Sequence, residues 1–317
     1  MKKIFILIIA GVFAISAYLA FATYSDWRSG KIKQAQDRRR AEELEKKLTM
    51  AKRKAAWAQL KRSIETEMGG CSAEVSMVIK DLDMKWEINC NKDGKIPAAS
   101  LVKIPIMMAY QYAAKDRKID LAEKVELKSS QKTDGSGVLK TFKAGSVFSI
   151  DDIIYLMITQ SDNTASNILI DTLGMDTLNR YFARMGLKNT NLSRKMMDFK
   201  ARSAGIENYT TAGDMALSLE KLYSGRFINM PVSKKCLRLL ASQKINDRIP
   251  KKLPSDTVVA HKTGLENGIC HDVGIVYTNK GNFLICVLTK HHNKSARDTK
   301  QLIQDISLAA YNYYGSF

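Results

Sequence analysis

Hydrophobic and polar positions divide the chain into three stretches of different rhythm. From Ile4 to Ala22 the residues are apolar except for Gly11 and Ser16, and these nineteen positions rise about 28 Å as a helix, the depth of a bilayer core. Lys2 and Lys3 precede the run, and Ala20-Phe21-Ala22 offers a small-residue cleavage pattern. Residues 1–24 therefore read as a signal anchor or signal peptide, the length favouring an anchor. From Ser25 to Met68 the pattern is charged and free of proline, with an apolar seam at Ala41, Leu44, Leu48, Ala51, Ala55 and Ala58 spaced by threes and fours. A seam this short and alanine-rich predicts one solvated helical stalk over 25–68 rather than a stable coiled coil.

Gly69-Gly70 ends that helix, and 69–317 reads as one globular domain. Val75 to Ile79 and Lys85 to Ile88, separated by Asp81-Leu82-Asp83-Met84, predict a β-hairpin. Helical periodicity then dominates from Leu101 to about Tyr223. Strand patterns return at Val273 to Tyr277 and Phe283 to Leu288, around the turn Thr278-Asn279-Lys280-Gly281, and a last helix covers Ala296 to Tyr314. Strands at both ends with helices between predict an α+β domain, one antiparallel sheet built from the two ends, flanked by helices and with a helical middle region.

Charge sharpens this picture. The chain carries +18, of which the stalk holds +6 and the domain +10. Such an excess favours an anionic partner, and the basic stalk suits anionic lipid headgroups. No arginine-rich reader, RNA-binding aromatic pair or zinc-finger spacing is present, so no nucleic-acid partner is expected. Cys71, Cys90, Cys236, Cys270 and Cys286 are scattered, with no C-x-x-C, which argues for buried free thiols and leaves only a Cys71–Cys90 pair open.

Candidate chemistry begins at Ser100-Leu101-Val102-Lys103. On a helix, residues three apart share a face, so a lysine amine whose pKa is lowered by burial or a nearby cation can take the serine's proton. Alone the pattern is weak, because Ser129-Ser130-Gln131-Lys132 and Ser218-Leu219-Glu220-Lys221 match it too. What distinguishes Ser100 is its sequel: Ser161-Asp162-Asn163 after an apolar helix, then Lys262-Thr263-Gly264 at the end of the β-prone run Thr257 to Ala260, each tripeptide occurring once.

This ordered trio resembles the class A β-lactamases and penicillin-binding proteins, a group of active-site-serine hydrolases. The similarity extends to Asp134-Gly135-Ser136-Gly137-Val138-Leu139 and to Gly145 through Asp152 leading into Ser161 through Asn167. The resemblance implies Ser100 as the acylated nucleophile, Lys103 as its proton acceptor and Ser161 as the donor to the leaving nitrogen. It further implies that Asn163 orients Lys103 and the substrate amide, that Lys262 and Thr263 of the Lys262-Thr263-Gly264 strand hold the substrate carboxylate, and that the N–H groups of Ser100 and Leu265 form the oxyanion hole. It calls for no metal or cofactor.

Two departures qualify it. Aligning Arg194 with the family's loop arginine puts Met196 where the glutamate that activates the deacylating water belongs, leaving Asp198 and Glu207 as the nearest carboxylates. His271 stands near the arginine that helps bind the carboxylate, a task an imidazolium can share; the alternative is a histidine bonded to Asp272. His261 is expected on the opposite face of its strand from Lys262. The first functional expectation is β-lactam hydrolysis through an acyl-serine, the second a D-alanyl peptidase of the cell wall that binds penicillin, and the third an idle wall-binding module. All three place the domain outside the cytoplasm, anchored by residues 4–22.

Overall fold

The computed structural model describes residues 1–292 and 295–316. Two compact units divide it, Met1–Ala58 and Gln59–Ser316. Helix α1 (Lys2–Gly69) begins in the first, where nearly every side chain is exposed, and holds an 18-residue window of mean hydropathy 2.6, long and apolar enough to cross a membrane. In the second unit its last turns bury Leu60 and Ile64, so this unit starts earlier than the Gly69-Gly70 boundary expected from sequence.

The second unit is organised by a five-stranded antiparallel sheet made of the predicted strands. Strands β1 (Glu74–Asp81) and β2 (Glu87–Cys90) come from its beginning and are followed by the short β3 (Ile96–Pro97). A 3₁₀ turn, Ala99–Val102, leads into α2 (Lys103–Lys115). Beyond it lie β4 (Lys124–Glu126), β5 (Val147–Ser149), α3 (Ile150–Thr159), α4 (Asn163–Leu173), α5 (Met175–Arg184) and α6 (Phe199–Ser203). After β6 (Tyr209–Thr210) come α7 (Ala212–Tyr223) and α8 (Met230–Ala241). The chain returns to the sheet as β7 (Val259–Glu266), β8 (Ile269–Thr278) and β9 (Gly281–Lys290), and ends in α9 (Arg297–Gly315).

Strand order is β2-β1-β9-β8-β7, so β1 pairs with β9 across the whole length of the domain and β7 is an edge strand. Sheet side chains alternate between two buried layers. Val78, Ala260, Val273, Ile275, Leu284, Cys286 and Leu288 join the core of helices α2 to α8. On the other face Met77, Ile79, Phe283, Ile285 and Val287 are equally buried, and Phe283 stacks on Tyr314 of α9 at 5.5 Å. Burial on both faces explains why the central strands read as continuous apolar runs rather than alternating ones.

All five cysteines are free. The β1–β2 register sets Cys90 opposite Met77, well along the strand from Cys71, which disposes of the disulfide left open by the sequence. Helix α8 was not foreseen, because its buried stripe, Ser233, Cys236 and Leu240, is too thin to stand out.

Candidate active site

Ser100 sits on the 3₁₀ turn, and Lys103 opens α2 directly after it. The residue before the serine, Ala99, has φ +43°, an uncommon conformation for a side chain with a Cβ and one that clusters at functional sites. Lys103 is fully buried, and its ammonium donates to the Ser161 carbonyl at 2.6 Å, the Ser161 Oγ at 3.2 Å and the Asn163 Oδ1 at 2.9 Å. Burial lowers its pKa to about 7, with Asp162 and Glu266 opposing the shift. The Ser100 hydroxyl makes no hydrogen bond among the described residues.

Ser161 lies between α3 and α4 at φ +53°, a second strained position, and this turns its hydroxyl between two ammonium groups. Lys262 on β7, also fully buried, donates to Ser161 Oγ at 2.9 Å and to the Thr263 carbonyl at 2.9 Å. Burial and the neighbouring Lys103 hold its pKa well below the ordinary lysine value. Asp162 caps α4 through the Ala165 N–H at 2.9 Å and accepts from the N–H groups of Val138 and Leu139 at 2.6 and 2.7 Å, pinning the loop 134–139. Gly137 makes this approach possible: it has φ +110°, and a Cβ there would stand 2.2 Å from Asp162 Cγ. Asn163 donates to the Asp134 carbonyl at 3.1 Å.

Gly264 lets β7 close on the nucleophile turn, since a Cβ would come within 3.1 Å of His271 and 3.4 Å of Leu101. Leu265 follows on the same edge strand, half exposed, and Thr263 is buried beside Lys262. The sequence motifs thus bring Ser100, Lys103, Ser161, Asn163, Lys262, Thr263, Gly264 and Leu265 to one place.

His271 is there in another capacity than expected. Its ring is fully buried, Nδ1 accepts the Thr289 N–H at 3.0 Å, and Nε2 donates to the Pro97 carbonyl at 2.9 Å. Burial lowers its pKa to about 4, so it is neutral and has no N–H left for a substrate carboxylate. It fastens β8 to the residues just before Ser100. The histidine bonded to Asp272 is His261 on the neighbouring strand, at 2.9 and 3.1 Å. His261 is buried on the face away from Lys262, as its strand position predicts.

The loop between α5 and α6 carries Met196, whose N–H donates to Asn167 Oδ1 at 2.8 Å while its carbonyl accepts from Asn167 Nδ2 at 3.1 Å. Arg194, buried, joins Glu207 at 2.7 Å to Glu266 at 2.9 Å, and so ties this loop to the end of β7. Glu207 also meets Arg202 at 3.3 Å, and Asp198 caps α6 through the Ala201 N–H at 2.9 Å. Both carboxylates are already engaged.

Sequence reasoning missed Arg248, a buried guanidinium whose Nε donates to Cys270 Sγ at 3.3 Å and whose Nη1 meets Asp247 at 2.9 Å. A lone loop arginine carries no local signal of such burial. Among the described residues no group of three or more His, Cys, Asp or Glu side chains is placed to hold a metal ion.

A model of the beta-lactamase enzyme family matches residues 59–314. The chain belongs to this family. It is a serine β-lactamase-like hydrolase with the α+β fold of that group. Among its relatives, beta-lactamase VEB-1 of Pseudomonas aeruginosa is 25% identical over 272 residues, 79% of this chain and 89% of the relative. A beta-lactamase of Sphaerobacter thermophilus superposes with a TM-score of 0.74 at 30% identity, covering 82% of this chain and 98% of its own. PBP-A gives 0.75 at 26% identity, covering 82% and 97%, and a mutant of it has been solved as an acyl-enzyme complex with penicillin G.

Proposed function

We propose that the chain forms an acyl-serine with β-lactams at Ser100 and releases the acyl group slowly. The observation that carries this reading is the meeting of two buried ammonium groups, Lys103 and Lys262, at the single hydroxyl of Ser161. Neutral Lys103 takes the Ser100 proton as Oγ attacks the lactam carbonyl carbon, and the N–H groups of Ser100 and Leu265 receive the oxyanion. When the C–N bond breaks, Ser161 gives its proton to the departing nitrogen and is resupplied from Lys103, which carries the proton taken from Ser100. Asn163 holds Lys103 at the required angle. Lys262 and the Thr263 hydroxyl take the substrate carboxylate, and Arg248 supplies the further cation that neutral His271 cannot.

Release of the acyl group needs a base for water. Met196 has none to offer, and Asp198 and Glu207 are committed to a helix cap and to arginines. General-base catalysis is worth about 10² to 10⁴ in rate, so its loss predicts a long-lived adduct. This favours a penicillin-binding D-alanyl peptidase more than the sequence alone did, and the likeness to PBP-A agrees; the family match and VEB-1 favour β-lactam hydrolysis. In either case residues 1–24 serve as the anchor, the exposed basic helix that follows as a stalk, and the compact unit from Gln59 onward as an extracytoplasmic hydrolase domain.

Intact mass followed over time with benzylpenicillin separates the readings. The expected result is an adduct that persists long after mixing. An adduct that vanishes as the lactam is consumed would restore efficient hydrolysis, and a folded chain with no adduct would leave only an idle wall-binding module.

A further inference from the structure

Behind the site, on the face of the sheet that Thr263 shares, lies a buried polar chain that the reaction scheme leaves unused. The β7–β8 register sets Thr263 opposite Asp272 and Leu265 opposite Cys270, so His261, Thr263, Asp272 and Cys270 all point to one side. Asp272 is fully buried. It accepts from His261 Nδ1 at 2.9 Å and from the Ile249 N–H at 3.0 Å, and His261 Nε2 meets the side-chain amide of Asn246 at 3.0 Å, which in this tautomer turns its NH₂ to the ring. One carboxylate therefore grips the segment on both sides of Arg248: at Ile249 directly and at Asn246 through the imidazole. The guanidinium held between these two points lies against Cys270, and its Nη2 has no hydrogen-bond partner among the described residues.

We propose that Asn246, His261 and Asp272 are positioning residues that fix Arg248 beside Thr263 and thereby set the affinity of the site for the substrate carboxylate. This rests on the acyl-serine reading given above. Helix α9 braces the same segment at Ile249 through Ser307 and at Asp247 through Gln304, both at 2.9 Å, so the segment stays folded when the imidazole is removed. What the imidazole adds is a hold on Asn246, upstream of the arginine, which α9 does not touch through any of these bonds. The negative charge of Asp272 also favours the protonated form of Lys262, reinforcing a cationic carboxylate site from behind.

The test compares benzylpenicillin with its carboxylate methyl ester, on the full-length chain in detergent, by the rate of adduct formation at Ser100. For His261→Phe the second-order rate with the free acid should fall about tenfold or more, the scale of one lost hydrogen bond to a charged group, while the rate at saturating lactam and the rate with the ester stay within about threefold. His261→Asn, whose amide can still donate to Asp272, should recover part of the loss. Asn246→Ala, at an exposed position where folding is safe, should weaken the acid reaction alone and by less. Equal losses for acid and ester, or no loss for the acid in either His261→Phe or Asn246→Ala, would overturn the proposal. A wild-type chain that reacts with neither form would remove the acyl-serine reading and the relay with it; one that reacts equally with both would remove the carboxylate site and leave the acyl-serine standing.

Discussion

Lys103 and His271 show how burial decides what a titratable residue does. Both lie fully buried beside the nucleophile turn, and both have a lowered pKa, chiefly through the cost of leaving water. For Lys103 the shift to about 7 creates a base; for His271 the shift to about 4 abolishes a cation. The base form of Lys103 exists above its pKa, so acylation should rise with pH by roughly tenfold per unit below about 7 and level off above it. Stopped-flow acylation with a chromogenic lactam from pH 5 to 9 checks this, and a profile flat between pH 5 and 8 would exclude Lys103 as the base. The motif residues were legible in sequence because each tripeptide is short and contiguous. Arg248 and the true partners of His271 were not, since a residue's burial and its bonds across 174 positions of chain are settled only by tertiary packing.

At the scale of elements, the loop from α5 to α6 and strand β7 form one unit, joined by Arg194 between Glu207 and Glu266. Removing one partner from a buried ion pair is costly, so this clasp holds the Met196 backbone in the Asn167 cradle against the site. Placing a carboxylate in that cradle should supply the missing base. Met196→Glu is expected to shorten the life of the acyl adduct by about 10² or more, read as the half-life of the mass adduct after excess lactam is removed. An adduct of unchanged half-life in a folded, acylated variant would show that the cradle does not present residue 196 to the attacking water. The loop's position was foreseen from Arg194, but the clasp to Glu266 was not, because nothing in a single glutamate at a strand end announces its partner. The strands were read correctly in outline and extended by several residues, as ladder bonds continue past the apolar centre of each strand.

For the whole molecule, the decisive feature is the pairing of β1 with β9, strands from opposite ends of the domain, which closes the sheet whose edge strand carries Lys262; Lys103 and Lys262 then meet at Ser161, and Gly264 approaches Leu101 beside Ser100. Sequence pattern carried this topology because apolar runs stood at both ends and helical periodicity between them. It did not carry the place where the compact unit begins, since Leu60 and Ile64 look like any apolar residues of a long charged helix until the domain covers them. Convergence of the three motifs is the claim on which the acyl-serine account stands. The direct measurement is peptide mapping of the adduct formed with benzylpenicillin on the full-length chain and on Ser100→Ala. The account predicts the whole acyl mass on the peptide containing Ser100 and none on the variant; an adduct at Ser129, Ser161 or Ser218, or one that survives in Ser100→Ala, would contradict it.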